Sequence, residues 1–204
     1  ALFDSFSIND QYQFEEKSFT SIGPSIGREL GRKAVVSIII VLIAIILFIA
    51  FAFRKVSEPV SSWKYGLTAI VTLFHDVILT SGFFVVLGMV TGAQVDSLFV
   101  VAILTVLGLS VNDTIVVFDR IRENLGRKDN EEFDYIVGKS LTQTIGRSLN
   151  TSMTVVFVLV ALIFFGPEST RIFALTLTFG LLVGTYSSIF LASPLLTVIN
   201  KNKG

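Results

Sequence analysis

Residues 107–125 read LGLSVNDTIVVFDRIRENL, and the reading of this stretch decides the fold. It begins as the end of an apolar run, yet Asn112 and Asp113 sit inside that run. It closes on Asp119, Arg120, Arg122 and Glu123. Asp113 precedes Asp119 by six residues, which places it ~9 Å below the end of the span at helical rise. A short side chain cannot reach the headgroups from that depth. An ionised group there costs at least ~2.5–3.5 kcal/mol on insertion scales. Asp113 must therefore be protonated, paired, or hydrated by an internal cavity. A buried carboxyl near a guanidinium changes protonation when solvent access changes sides, so Asp113 is a proton-binding candidate.

Outward from this stretch, the rest of the chain has the same character. It is 204 residues long, 52% hydrophobic, with a mean hydropathy of +0.75, more apolar than a soluble domain of that size. Five apolar segments, at about 34–53, 65–90, 97–118, 148–165 and 172–199, are each long enough to cross a ~30 Å hydrocarbon layer as a helix. Helix is the expected form because a backbone in lipid must satisfy its own hydrogen bonds. The fold class is thus an all-α integral membrane protein, a five-helix transmembrane bundle. The last segment is over-long and is expected to tilt, bend near Pro194, or extend into the headgroups.

Residues 1–33 read as the end of an extracytoplasmic domain and its linker, with YQFEEKSFTSI as a strand before a Gly-Pro turn. The chain begins at Ala1 in mid-pattern, as a piece of a longer chain would, with no cleavable signal in view. With five spans, alternation of basic residues puts the N-terminal segment outside and the tail, 200–204, in the cytoplasm, with eleven basic residues inside and five outside. Arg28, Arg32 and Lys33 run against that rule. The loop 119–147 is cytoplasmic. RIREN extends the third span as helix towards Gly126, and Phe133, Ile136, Val137, Leu141 and Ile145 form the apolar face of a helix expected to lie on the membrane surface.

The spans differ in polar content. The first carries only Ser37. The second carries Thr68, Thr72, Asp76 and Thr80 at spacing four, one face of a helix, with His75 beside Asp76. The pair reads either as a functional acid–base couple or as a structural hydrogen-bonded pair. In the third span Thr105, Gly108 and Asn112 share a face, with Asp113 at its edge. In the fourth, Arg147, Thr151 and Thr154 share a face. Arg147 reads either as a counter-ion for Asp113 or as an interfacial arginine reaching outward. Asn112 and Thr114, which flank Asp113, are with His75 and Asp76 candidates for relay or structural support. The fifth span has Thr176, Gly180, Gly184 and Ser188 at spacing four, a small-residue ladder suited to close helix packing.

Several chemistries are excluded. Cysteine is absent and histidine occurs once, so neither a disulfide framework nor a multi-histidine metal site is expected. There is no G-x-x-x-x-G-K-[ST] and no H-E-x-x-H, and GLSVND lacks the second glycine of an aspartyl-protease G-x-G-D. Sixteen basic residues balance sixteen acidic ones, which points to no nucleic-acid partner. The reading is not an enzyme, with no metal and no cofactor.

GLSVNDTIVVFDRIREN resembles the signature of the fourth transmembrane helix of the SecF family of protein-export membrane subunits. IGPSIGREL before the first span, LFHDV in the second and GRSLNTSMT opening the fourth resemble the same family in the same order. The resemblance runs from about Ile22 onward. It implies that the five spans are family helices two to six, half of a pseudo-symmetric membrane domain of the resistance–nodulation–division superfamily, with a periplasmic domain before them. It implies SecD as partner, the SecYEG channel and preproteins as further partners, membrane lipid around, and protons, or sodium ions in some relatives, as the coupled ion. It maps the family's transport carboxylate to Asp113 and its functional arginine to Arg147. Leu109 departs from the aromatic residue common before the serine. Two alternatives stand beside this: a related exporter of small molecules or lipids, and a scaffold that stabilises the translocon without transport.

Overall fold

The structure is a computed structural model and describes residues 24–52, 60–127 and 131–201, with side chains described for these except 24–28, 30, 50 and 52. The expected strand and outer-domain remnant at the N-terminus lie outside the described residues. Six α-helices follow in order: α1 Pro24–Ala52, α2 Ser62–Thr91, α3 Ser97–Leu125, α4 Phe133–Phe165, α5 Glu168–Ser187 and α6 Ser193–Lys201, the last two joined by a π-turn at Ser188–Ala192. No strand occurs among the described residues. Five helical segments are long and apolar enough to span a membrane, counting α5, the π-turn and α6 as one. The chain is a multi-pass membrane protein.

Local signals explain the boundaries. Pro24 opens α1, where its missing N–H is an orphan in any case. Gly92 ends α2 in the left-handed conformation (φ 74°), and its N–H bonds the Gly88 carbonyl at 2.9 Å. Asp96 caps α3 by accepting from the Phe99 N–H at 2.8 Å. The RIREN segment is helix, as expected, and Gly126 follows its end.

Two differences from expectation have physical causes. The apolar face at 133–145 does not form a separate surface helix, because α4 runs unbroken from Phe133 through the fourth span. Ile136 and Val137 are buried, and Phe133 and Leu141 pack on the core beside Ile121 and Phe118. Asn124 of α3 reinforces this by donating to Ser140 Oγ (2.8 Å) and Gln143 Oε1 (2.9 Å) of α4. The face is therefore covered by α3. The second difference concerns the long last span, which changes geometry just before Pro194. Proline has no N–H for the Phe190 carbonyl, so the ladder loosens there and widens to a π-turn. Ser193 Oγ reaches back to the Ser188 carbonyl at 3.3 Å.

Helix α5 is the centre of the bundle, packed against α2, α3 and α4. Its ladder of Thr176, Gly180, Gly184 and Ser188 is wholly buried. A Cβ on Gly184 would lie 3.0 Å from the Ser110 Cβ, and one on Gly180 would lie 2.3 Å from Val106 Cγ2, so glycine sets the helix spacing at both turns. Two apolar clusters flank this seam. One joins α1, α2, α3 and α6 around Leu73, Phe118, Ile121 and Leu196. The other joins α3, α4 and α5 around Val106, Leu159 and Leu177. Helix α1 lies at the edge, with only 6% of its spanning window buried.

Candidate functional site

The polar side chains of the spans converge on the α5 seam from three sides. The stripe on α2 faces inward as its spacing predicts: Thr68, Thr72, Asp76 and Thr80 are all fully buried. Asp76 is the most heavily bonded side chain of the interior. Its Oδ2 accepts from Ser110 Oγ of α3 and from Ser187 Oγ of α5, the latter at 2.8 Å. Its Oδ1 lies 3.0 Å from Nδ1 of the half-buried His75. One carboxylate thus ties α2, α3 and α5 together.

Asp113 occupies a second polar pocket. It is 7% exposed and turned into the bundle, where it faces the hydroxyls of Ser148 on α4 and Thr185 on α5. Thr185 Oγ1 is also 2.5 Å from Ser152 Oγ. Ser148 Oγ is buried without a well-formed hydrogen bond of its own. No ion pair joins Asp113 to any cation among the described residues. The carboxyl sits in a hydroxyl-lined site between α3, α4 and α5, away from the lipid-facing surface.

The other expected site residues are placed differently. Thr114 is buried but spends its hydroxyl on the Ser110 carbonyl of its own helix, at 3.1 Å. Asn112 is exposed, in a groove of about 420 Å³ with Val41, Phe48 and Gly108 between α1 and α3. The structure does not bring it to the Asp113 carboxyl, because adjacent residues on a helix diverge by ~100°. Arg147 is likewise exposed. It lines a groove of about 440 Å³ at the ends of α3 and α4 with Asp119, Arg120, Glu123, Gln143 and Thr144. The acids there are already held: Asp119 pairs with Arg122 at 2.6 Å, and Glu123 pairs with Arg120 and with Arg127 at 3.0 Å. The Arg147–Thr151–Thr154 face singled out in the sequence is the outer face of α4. The inner face is Ser140, Thr144, Ser148 and Ser152, all buried, with the same spacing of four. That stripe, with Ser110, Thr185 and Ser187, was open to the spacing test but carries no charge to draw attention.

Comparison with known proteins sets this geometry in a family. The profile described as "Protein export membrane protein SecD/SecF, C-terminal" matches residues 4–202. The chain belongs to this SecD/SecF family. The protein translocase subunit SecF of Thermobaculum terrenum is 53% identical over 183 residues, 90% of this chain and 57% of that protein. The SecF subunit of Synechocystis is 41% identical over 175 residues, 86% of this chain and 53% of that protein. The chain therefore spans about half the length of these curated relatives. A crystal structure of SecDF in a super-membrane-facing form superposes with a TM-score of 0.75 at 34% identity, covering 90% of this chain and 23% of that one. The SecF resemblance and the all-helical membrane class both stand.

Proposed function

We propose that this chain is the membrane part of a SecF-type subunit that pairs with SecD and assists preprotein export through the SecYEG channel. It draws on the proton-motive force, with Asp113 as the ion-binding carboxyl and Arg147 as its switchable counter-ion. The observation that carries the reading is the position of Asp113, an acid inside the bundle, lined by Ser148 and Thr185 and without a cation beside it. A carboxyl in that setting binds or releases a proton according to which side hydrates the pocket. Arg147 is supported by its place on α4. It immediately precedes Ser148, so ~100° of rotation about the helix axis separates the guanidinium from the face that meets Asp113. In this scheme the exposed Arg147 and the unpaired Asp113 belong to one state of the cycle, and their approach defines the other. The N-terminal segment lies outside the cell membrane and the C-terminus in the cytoplasm, as the basic-residue distribution favours.

The test is Asp113→Asn in the full-length subunit, in a strain whose export depends on it, with proton flux followed in vesicles holding the SecD complex. The expected result is at least a tenfold loss of proton-driven export and flux, with normal recovery of the complex. Unchanged export and flux would remove Asp113 from the mechanism. Loss of SecD co-purification instead would favour the scaffold role.

A further inference from the structure

Asp76 is fully buried and is not needed for proton exchange at Asp113, yet it receives both neighbouring helices on one oxygen. The two donors are informative by position. Ser110 lies three residues before Asp113 on α3. Ser187 lies two residues after Thr185 on α5, and immediately before the π-turn at Ser188–Ala192. Both arms of the Asp76 contact therefore lead to the walls of the Asp113 pocket. Gly184 permits the contact, since a side chain there would press on Ser110 and push α5 off α3. A π-turn has weaker hydrogen-bond geometry than an α-helix and is a point where a helix can shift register. A tie to a fixed carboxylate at its first residue restrains that shift.

We propose that Asp76 is a positioning residue for the Asp113 centre: through Ser110 and Ser187 it holds α3 and the π-turn of α5 in register, so that Thr185 and Ser148 close over the Asp113 carboxyl. The proposal rests on the reading of Asp113 as the ion-binding group and adds the device that keeps its pocket shut. His75, on the other carboxylate oxygen, orients Asp76 from within α2. Loss of the carboxylate frees the π-turn and lets water reach the pocket. Asparagine at 76 retains an oxygen that accepts from both serines and an amide that meets the His75 nitrogen, so it preserves the device.

The chain has no cysteine, so a single thiol reports cleanly. Ser148→Cys in the full-length subunit, in complex with its partner, places a thiol in the pocket without breaking a well-formed hydrogen bond. Ala174→Cys serves as the control, since Ala174 is fully buried in the α3–α4–α5 cluster away from the π-turn. The expected result is that Asp76→Ala speeds reaction of the Ser148→Cys thiol with a water-soluble maleimide at least tenfold. The Ala174→Cys thiol should be unaffected, and Asp76→Asn should return the rate to within twofold of the parent. Ser187→Ala, a milder change, should act in the same direction if Asp76→Ala fails to assemble. An unchanged rate at Ser148→Cys, or equal acceleration at Ala174→Cys, overturns the proposal. Labelling needs no ion movement, so its outcome is separate from that of the Asp113→Asn experiment.

Discussion

Replacing Gly180 by alanine tests whether the α5 seam sets the spacing of the bundle. The new Cβ would stand 2.3 Å from Val106 Cγ2 on α3 and 3.0 Å from Thr80 Oγ1 on α2. Carbon atoms in contact rest at about 3.5–4.0 Å, so the first overlap exceeds ~1 Å. Val106 and Thr80 are both buried and β-branched, and such side chains have few χ1 alternatives within a helix. Neither can swing aside, so the helices must part. Overpacking of this kind costs about 1–3 kcal/mol. Alanine recovers about 0.5–1 kcal/mol through its higher helix propensity. The net loss is on the order of 1–2 kcal/mol, a five- to thirtyfold fall in the folded-to-unfolded ratio. Gly82→Ala is the matched control, because a Cβ there meets nothing within 4 Å and should leave stability unchanged or slightly raised. Reversible unfolding of the full-length protein in mixed micelles, followed by helical circular dichroism, measures both. If Gly180→Ala is as stable as the parent, or Gly82→Ala falls as far, the packing argument fails.

Two further outcomes are expected. Lys64 is 3% exposed and donates to Asn200 Oδ1 at 2.8 Å, so Asn200→Leu should cost about 1.5–3 kcal/mol by stranding the ammonium. Adding Lys64→Met should restore at least half of that loss, and strictly additive losses in the same unfolding assay would rule out the coupling. Arg147→Ala should leave stability within about 0.5 kcal/mol, as for an exposed residue, while proton-driven export falls at least tenfold. A stability loss with export intact would assign Arg147 to packing instead.

The spans were legible because lipid permits few backbone forms and each apolar run had the required length. The inward face of α2 was also legible, since Thr68, Thr72, Asp76 and Thr80 follow one period and all are buried. On α4 the same rule was applied to the wrong set. Arg147 drew the eye to its own face, whereas the interior took the uncharged Ser140–Ser152 stripe. Charge marks where a residue is expensive to bury, and neighbouring helices decide which face is covered. The continuity of α4 was hidden for a related reason. An apolar stripe fits a lipid surface or a second helix equally well, and only α3, held by Asn124, distinguishes them. The link from Asp76 to Ser187 spans 111 positions and has no local signature. The π-turn had a partial signal in Pro194, which marked the place of the irregularity without its kind.

That π-turn makes residue number, more than residue type, the sensitive variable in the last span. A π-turn accommodates one residue beyond the regular helical count. Deleting any one of the five residues from Ser188 to Ala192 would let the segment revert to α-helix and swing everything after it by ~100°. Leu196 would leave the core, and Asn200 would turn away from Lys64. Interchange of similar apolar residues at the exposed Phe190 should pass with little effect, whereas a one-residue gap should be as damaging as the loss of the helix.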